Sequence, residues 1–376
     1  MNSLLQLFGT FGQILQKHLF PALQEELGPM SERMEEFVRA IALLEMDGFV
    51  AVRHGRGRPA HDRASIARAF LAKAVFGFPT TRALLDRLTH DGVLRRLCGW
   101  ESAAKVPDET VMSRCFDQFA TSEFPQRVHA ALIERTQSTR LVGHILRDST
   151  AIEAREKREI KPKPVKPVVR RRHRKADGAK NPEQMTTIER QCFGKMSLEE
   201  MLSELPRKCD RGCKPDSTGK KMYWSGYKLH VDVADGQIPI SCILTSASVN
   251  DMQVAIPLAE TSARRVQSLY DVMDTGYDAT AIRTHSQNLG HVPIIGWQKR
   301  GSQKKELAPH EKARMRERSA VERVHSRLKD EYGGANVRVR GSAKVMAHLM
   351  FGILALTADQ LLRWAGVRAE VPPEVG

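Results

Sequence analysis

The sequence predicts an α/β protein, a mixed sheet flanked by helices and preceded by an all-helical N-terminal region. Three observations carry that reading. Up to about residue 135, apolar residues recur at three- and four-residue spacing. After residue 140, short apolar runs alternate with helical stretches, as a sheet with helices on its faces requires. Within 222–247, "MYWSGYKLHVDVADGQIPISCILTSA", two β-rich runs flank the turn signal Asp235-Gly236, which predicts a hairpin.

Taken in order, helices are expected at 65–78, 80–90 and 108–120. Thr80 and Asp108 stand as N-caps, with Pro79 and Pro107 just ahead of them. Arg63, Arg68, Lys73, Arg82, Arg87, Arg95 and Arg96 dot this region. Short basic helices joined by tight turns suit a helix-turn-helix-like DNA-binding unit, or a plain helical bundle with a basic surface. "LVGHILRDST" (141–150) reads as a strand that ends near Asp148. The run 155–180 is rich in Lys, Arg and Pro with little to bury, and opens a basic insertion over about 155–221. Beyond the hairpin follow a helix (251–265), a strand, glycine turn and helix (267–290), and a buried strand (291–297). A basic loop then leads to a helix around 318–333 and a last helix over 342–365. The expected division is a helical domain over 1–135 and a second domain over 136–368.

Composition narrows the partners. Of 376 residues, 59 are Lys or Arg and 44 Asp or Glu, giving a net charge of +15. Such an excess suits a polyanion, most simply nucleic acid. The cysteines at 98, 115, 192, 209, 213 and 242 are too scattered for a disulfide framework, so a reducing cytosol is expected. Cys209 and Cys213 lack a second pair at zinc-site spacing and read as free thiols in a loop. The N-terminus lacks the charged start and apolar centre of a signal peptide. "VMAHLMFGILALTADQLL" is too short and interrupted for a membrane span and reads as a buried helix.

Three acids stand in places that invite chemistry. Asp148 and Asp274 are expected at the carboxyl ends of strands, where ligand sites of α/β sheets gather. Glu322 lies on "RSAVERVHSRLKDEYG" (318–333), where Arg318, Glu322, His325 and Lys329 fall on one helical stripe. Val321, Val324 and Leu328 form an apolar stripe beside it, facing the core. Carboxylates gathered without a fixed cation repel, and a divalent ion relieves that; oxygen ligands favour magnesium or manganese. Two such ions about 3.5–4 Å apart support phosphoryl transfer. Each acid also has a plainer reading, as a turn or cap residue for Asp148 and Asp274 and as half of an ion pair with Arg318 for Glu322. Spacing does not separate them from Asp271, Asp278, Glu153 and Glu317.

At these residues the sequence resembles bacterial insertion-sequence transposases of the DDE type, which have an RNase H-like catalytic domain. The resemblance rests on "LRDSTAIEAREK", "WSGYKLHVDVADGQIPISCILTSASVNDMQVAIPL", "VMDTGYDA" and the helix around Glu322, and spans roughly residues 55 to 365. Arg318, Glu322 and Lys329 match the family's Tyr-x2-Arg-x3-Glu-x6-Lys signature, while Met315 stands at its tyrosine position. The resemblance implies that Asp148, Asp274 and Glu322 are catalytic and hold two Mg2+ or Mn2+ ions. It implies hydrolysis that frees 3′-OH ends, and strand transfer into target DNA. Double-stranded DNA, both the element's terminal inverted repeats and the target, is the implied partner of a homodimer acting on the nucleoid in the bacterial cytoplasm. Arg318 and Lys329 would grip phosphates, with His325, Trp297, Lys299 and Arg300 as further DNA contacts; the Trp297 ring could stack on an unpaired base. Two rivals remain, a catalytically impaired DNA-binding derivative and an RNase H-like nuclease or resolvase.

Overall fold

A computed structural model describes residues 12–15, 19–50, 61–158, 185–194, 196–215, 218–298 and 306–366. The N-terminal part is helical, as the spacing predicts. It comprises α1 (Phe20–Leu27), α2 (Glu32–Leu44), α3 (Arg63–Val75), α4 (Thr81–His90), α5 (Gly92–Cys98), α6 (Glu109–Thr121) and α7 (Phe124–Gln137). Thr80 and Asp108 are N-caps: their side-chain oxygens accept from the N–H groups of Ala83 (3.0 Å) and Val111 (2.8 Å). Each satisfies a donor that the first helical turn would otherwise leave open.

The sheet is mixed. Strand β1 (Leu141–Glu153) lies between β3 (Lys221–Ala234), antiparallel to it, and β5 (Gln267–Met273), parallel to it. Outside β5 runs β6 (Val292–Ile295), also parallel. The far edge of β3 is shared end to end by β2 (Asp210–Pro215), opposite 221–226, and β4 (Ile238–Ser246), opposite 227–234. The expected hairpin is therefore β3–β4. At its turn Gly236 has φ +83°, a left-handed conformation that favours glycine.

Around the sheet lie α8 (Thr187–Phe193), α9 (Leu198–Glu204), α10 (Met252–Ala263), α11 (Thr280–Asn288), α12 (Pro309–Met315), α13 (Ser319–Asp330) and α14 (Ser342–Trp364).

Three expectations need correction, and one part of the chain needs a boundary drawn. Strand β1 does not stop near Asp148: it continues to Glu153 because β3 keeps pairing with it after β5 has ended. The run expected to bury little, 155–180, is only the first part of the insertion. Its later part forms α8 and α9, each begun by a capping box at Thr186 and Ser197, and the edge strand β2. Cys213 sits on β2 rather than in a loop, whereas Cys209 is buried in the loop just before that strand; both are free thiols. The helix around Glu322 is not continuous from 318, since a 3-10 turn over Arg316–Arg318 separates α12 from α13. The densest part of the basic run, 159–184, lies outside the described residues.

Helix α14 unites the molecule. It packs on α2, α3, α6 and α7 and also touches β4 and α13. Phe351, 2% exposed, sits among Phe70, Phe116, Phe119 and Phe124, with ring centroids 5.8 to 6.4 Å away. One apolar cluster thus runs from Phe37 through Val231 to Leu362, joining the helical part to the sheet. The stretch read as too short and interrupted for a membrane span belongs to a 23-residue helix, α14, that is long and apolar enough to cross one; it is nevertheless buried inside the protein, as expected for the 342–365 helix.

The sheet also contains a buried ion pair. Arg147, 2% exposed, donates from Nε and Nη2 to the two carboxylate oxygens of the fully buried Asp232, both at 2.8 Å. The Ser262 hydroxyl donates to Asp232 Oδ2 as well (2.6 Å). A fork of this kind compensates desolvation only when its geometry is complete.

Candidate active site

The site forms where the parallel pair β1–β5 ends. Arg147 of β1 is opposite Met273 of β5, and this is the last paired position. Asp148 and Asp274 are the next residues on each chain. Asp148 faces out of a strand that continues, whereas Asp274 opens a 3-10 turn over Thr275–Tyr277. There Asp274 Oδ1 accepts from the Gly276 N–H at 2.8 Å. Asp274 is therefore a turn-capping residue, and its Oδ2 points elsewhere. A Cβ at Gly276 would come within 2.9 Å of Oδ1, so a larger residue there would require the Asp274 carboxylate to shift.

The third acid arrives from the other side. Val321, Val324 and Leu328 are each at most 1% exposed and lock α13 onto β1 and β3, as their apolar stripe predicts. Glu322 consequently stands out from the buried face, 57% exposed.

A single guanidinium joins the three carboxylates. Arg318 Nη1 donates to Glu322 Oε1 (2.8 Å) and Nη2 to Asp148 Oδ2 (3.3 Å), and Nη2 lies 3.8 Å from Asp274 Oδ2. The 3-10 turn just ahead of α13 sets Arg318 at that point. Sequence spacing revealed only the i,i+4 pair with Glu322. The contacts to Asp148 and Asp274 are tertiary, and the expectation of acids with no fixed cation among them does not hold here. Burial of Asp148 outweighs the nearby guanidinium and pushes its carboxyl up to about 6; Asp274 and Asp251 add to the rise.

His325 takes the inward side of the stripe. It is 7% exposed and its Nδ1 is 4.0 Å from Asp148 Oδ2. Burial, then Lys329 and Arg318, depress its pKa to about 3, so the ring is neutral at pH 7. Burial excludes a solvent-facing position for it. Lys329, half-buried, is pushed below its ordinary pKa by burial and by Lys214. Trp297 is half-buried beneath the Arg283 guanidinium, 3.9 Å from its ring centroid. Lys299 and Arg300 lie outside the described residues. Met315, at the expected tyrosine position, packs half-buried against the core.

Of the other acids, Asp271 is buried and accepts from the Ser286 hydroxyl (2.6 Å), with His291 Nδ1 3.2 Å away. Asp278 pairs with Arg283 and accepts from the Gln298 N–H. Both have structural work and stand apart from Arg318, as does the exposed Glu153.

Sequence reasoning missed a fourth acid. Asp251 stands at the N-cap of α10 but makes no capping bond. Its Oδ1 accepts instead from Ser149 Oγ (3.0 Å) and Lys228 Nζ (2.9 Å). Ser149 adjoins Asp148, so this link braces the site from the hairpin side. The sequence shows Asp251 only as the first residue of the 251–265 helix, and its partners lie far away in the chain. Tyr277 was also unread. It is 1% exposed, its hydroxyl has no hydrogen-bond partner among the described residues, and the charges that act on it include Asp251, Asp148 and Asp274. Beside the acids an open cleft of about 450 Å³ is lined by Arg211, Lys228, Asp251 and Gly276 among others.

Chemically, the donor set is hard, anionic oxygen around a position that already holds a cation. Among the described residues no three His, Cys, Asp or Glu side chains form a ready metal cage. The arginine fork spreads the carboxylates, and a divalent ion would have to displace it. The oxygen donors fit magnesium or manganese rather than a softer metal.

Residues 143–358 match the family described as "Transposase DDE domain", and residues 23–118 match one described as "Transposase domain (DUF772)". No curated protein and no solved structure matches the chain.

Proposed function

This chain belongs to the DDE-domain transposases, and on that premise we propose that it recognises the ends of an insertion sequence, hydrolyses a phosphodiester there and transfers the freed 3′-OH to target DNA. The observation that carries the reading is the convergence of Asp148, Asp274 and Glu322 on one guanidinium at the end of the β1–β5 pair. Three carboxylates from three separated segments meeting at one cationic point are hard to explain by stability, because partly exposed ion pairs contribute little.

The family generally uses divalent metal ions. Asp148, Asp274 and Glu322 would hold them, two in number. Bound there, they would supply Lewis-acid stabilisation to the attacking and leaving oxygens of an in-line displacement. The rest falls to the protein's own side chains. Asp274 is fixed by its turn and Asp148 by the sheet, so these two define the position of the site. Glu322 is exposed on α13 and free to adjust. Arg318, released from the acids, presents a planar fork suited to a phosphate beside the scissile bond. Lys329 shares its surroundings with Lys214, so a DNA phosphate relieves the repulsion between them. His325, buried and neutral, makes a dry wall behind Asp148 that adds no competing charge.

Two element ends must be brought together, so the working form on DNA is a homodimer; measuring molecular size with and without end DNA tests this. The reading as a whole is tested by incubating the protein with DNA carrying its element's ends. Magnesium-dependent nicking at the ends, followed by joining to a second duplex, is expected. The Arg318 contacts also suit a second reading, a DNA-binding derivative locked in an inactive state. Tight end binding without cleavage under any divalent ion would favour it. Cleavage governed by DNA structure, without strand transfer, would favour a nuclease or resolvase.

A further inference from the structure

A cavity of about 610 Å³ opens where the N-terminal helices meet α14. Its walls come from α3, from 78–81 ahead of α4, from α6, from the 332–339 segment that follows α13, and from α14. Its volume is that of a site for a small organic ligand. The lining has two kinds of character.

One side is cationic. Lys73, Arg114 and Arg338 line the cavity, and among the described residues none of them has an ion-pair or hydrogen-bond partner. His348 lines it too, with Nε2 3.0 Å from the Gly333 carbonyl oxygen, so the N–H donates there. The one carboxylate in the wall, Glu109, is engaged by Arg82 at 3.3 Å. Burial and then Arg338 bring the Lys73 pKa down to about 8, as unrelieved positive charge in a confined place must. Most other cations near the core are matched: Arg327, for example, meets Glu331 and Asp359. The other side is apolar and aromatic, with Phe70, Phe78, Phe116 and Phe351 in the wall.

We propose that this cavity binds one nucleotide unit of the element-end DNA, its phosphate held by Lys73, Arg114 and Arg338 and its sugar or base set against the phenylalanine wall. Unpaired cations call for an anion. Arginine forks match phosphate oxygens bidentately, and the apolar wall suits the flat body that a phosphate carries in DNA but that a free inorganic ion lacks. The position adds to the argument. The cavity bridges the two family-matched regions, 23–118 and 143–358, and its 332–339 wall directly follows the helix that holds Glu322 and Lys329. A DNA segment seated here would tie end recognition to the catalytic helix. The inference rests on the DNA reading above, but not on the three acids.

The test is amine footprinting of the full-length protein with an acylating reagent, read by mass spectrometry at Lys73. It is run alone, with end DNA, with thymidine monophosphate, and with inorganic phosphate. Alongside it, end binding is measured against salt for wild type, Arg338→Gln and Lys73→Gln/Arg338→Gln. Arg338 is exposed, so its single variant keeps the assay independent of folding. The expected result is strong protection of Lys73 by end DNA and weaker protection by the mononucleotide. Each substitution should lower the slope of log affinity against log salt by up to about one, with roughly tenfold weaker binding for the double variant. Manganese binding at the acids should stay unchanged. Absence of protection by DNA overturns the proposal, as does an unchanged salt slope. Protection by the mononucleotide alone also overturns it, since the site would then serve a free nucleotide. Failure of cleavage with intact Lys73 protection would instead count against the catalytic reading, so the two are separable.

Discussion

Replacing Arg318 by Gln should tighten metal binding while weakening catalysis. In the absence of metal the guanidinium holds three carboxylates, with N···O distances of 2.8, 3.3 and 3.8 Å. Exposed pairs of this kind contribute about 0.2–1 kcal/mol each. Glu322, 57% exposed, belongs at the low end of that range, and Asp148, 17% exposed, at the high end. Together the contacts amount to roughly 1–3 kcal/mol that an incoming cation must replace, or roughly 5- to 150-fold in Kd. Without Arg318 the acids also repel one another, which favours the cation further. Manganese titration by calorimetry at low ionic strength, on wild type and Arg318→Gln, gives the ratio directly. The variant should bind manganese more tightly, and its metal-free form should be slightly less stable. End cleavage should fall nevertheless, because the fork that grips phosphate is gone. Equal or weaker manganese binding by the variant would refute the idea that the arginine and the metal compete for one place.

Two further outcomes follow from the core of the sheet and its neighbours. Asp232→Asn leaves Arg147 buried without its carboxylate and should cost roughly 3–5 kcal/mol in urea unfolding, with part recovered in Arg147→Met/Asp232→Leu; a loss below about 1 kcal/mol would refute the role given to the pair. Acid should destabilise the protein through His129, which is 1% exposed and whose pKa burial pushes down to about 3. Because the native pKa lies below the unfolded value near 6.5, the unfolded chain takes up a proton that the native state refuses, so stability is full above about pH 6.5 and falls as pH drops towards 3. The decline, of order several kcal/mol, should be shallower in His129→Gln when unfolding is followed against pH.

What the sequence disclosed was local and periodic. The caps at Thr80 and Asp108, the hairpin around Asp235-Gly236 and the apolar stripe of α13 all depend on residues close in the chain, and all formed as read. The full length of β1 escaped because its last residues are held by β3, whose partners lie far downstream in the chain, from Val231 opposite Asp148 to Gly226 opposite Glu153. Arg318 showed its partner four residues on, but Asp148 and Asp274 reach it only through the sheet. Asp251 illustrates the same limit from the other direction. In the sequence it is only the start of a helix, and only folding brings Ser149 and Lys228 to its carboxylate. The three acids were legible because a resemblance singled them out; residue spacing alone gave Asp271 and Asp278 equal standing. Their different fates, Asp271 buried against Ser286 and His291 and Asp278 paired with Arg283, emerge only in three dimensions.

The most direct test of the central claim is Glu322→Gln, assayed for folding, end binding and magnesium-dependent strand cleavage together. Glu322 is exposed, and its removal from the carboxylate group should leave the thermal transition and end affinity near wild type. Cleavage should be abolished in every divalent ion tried. Cleavage at a wild-type rate in Glu322→Gln would contradict the assignment of Asp148, Asp274 and Glu322 as the catalytic group.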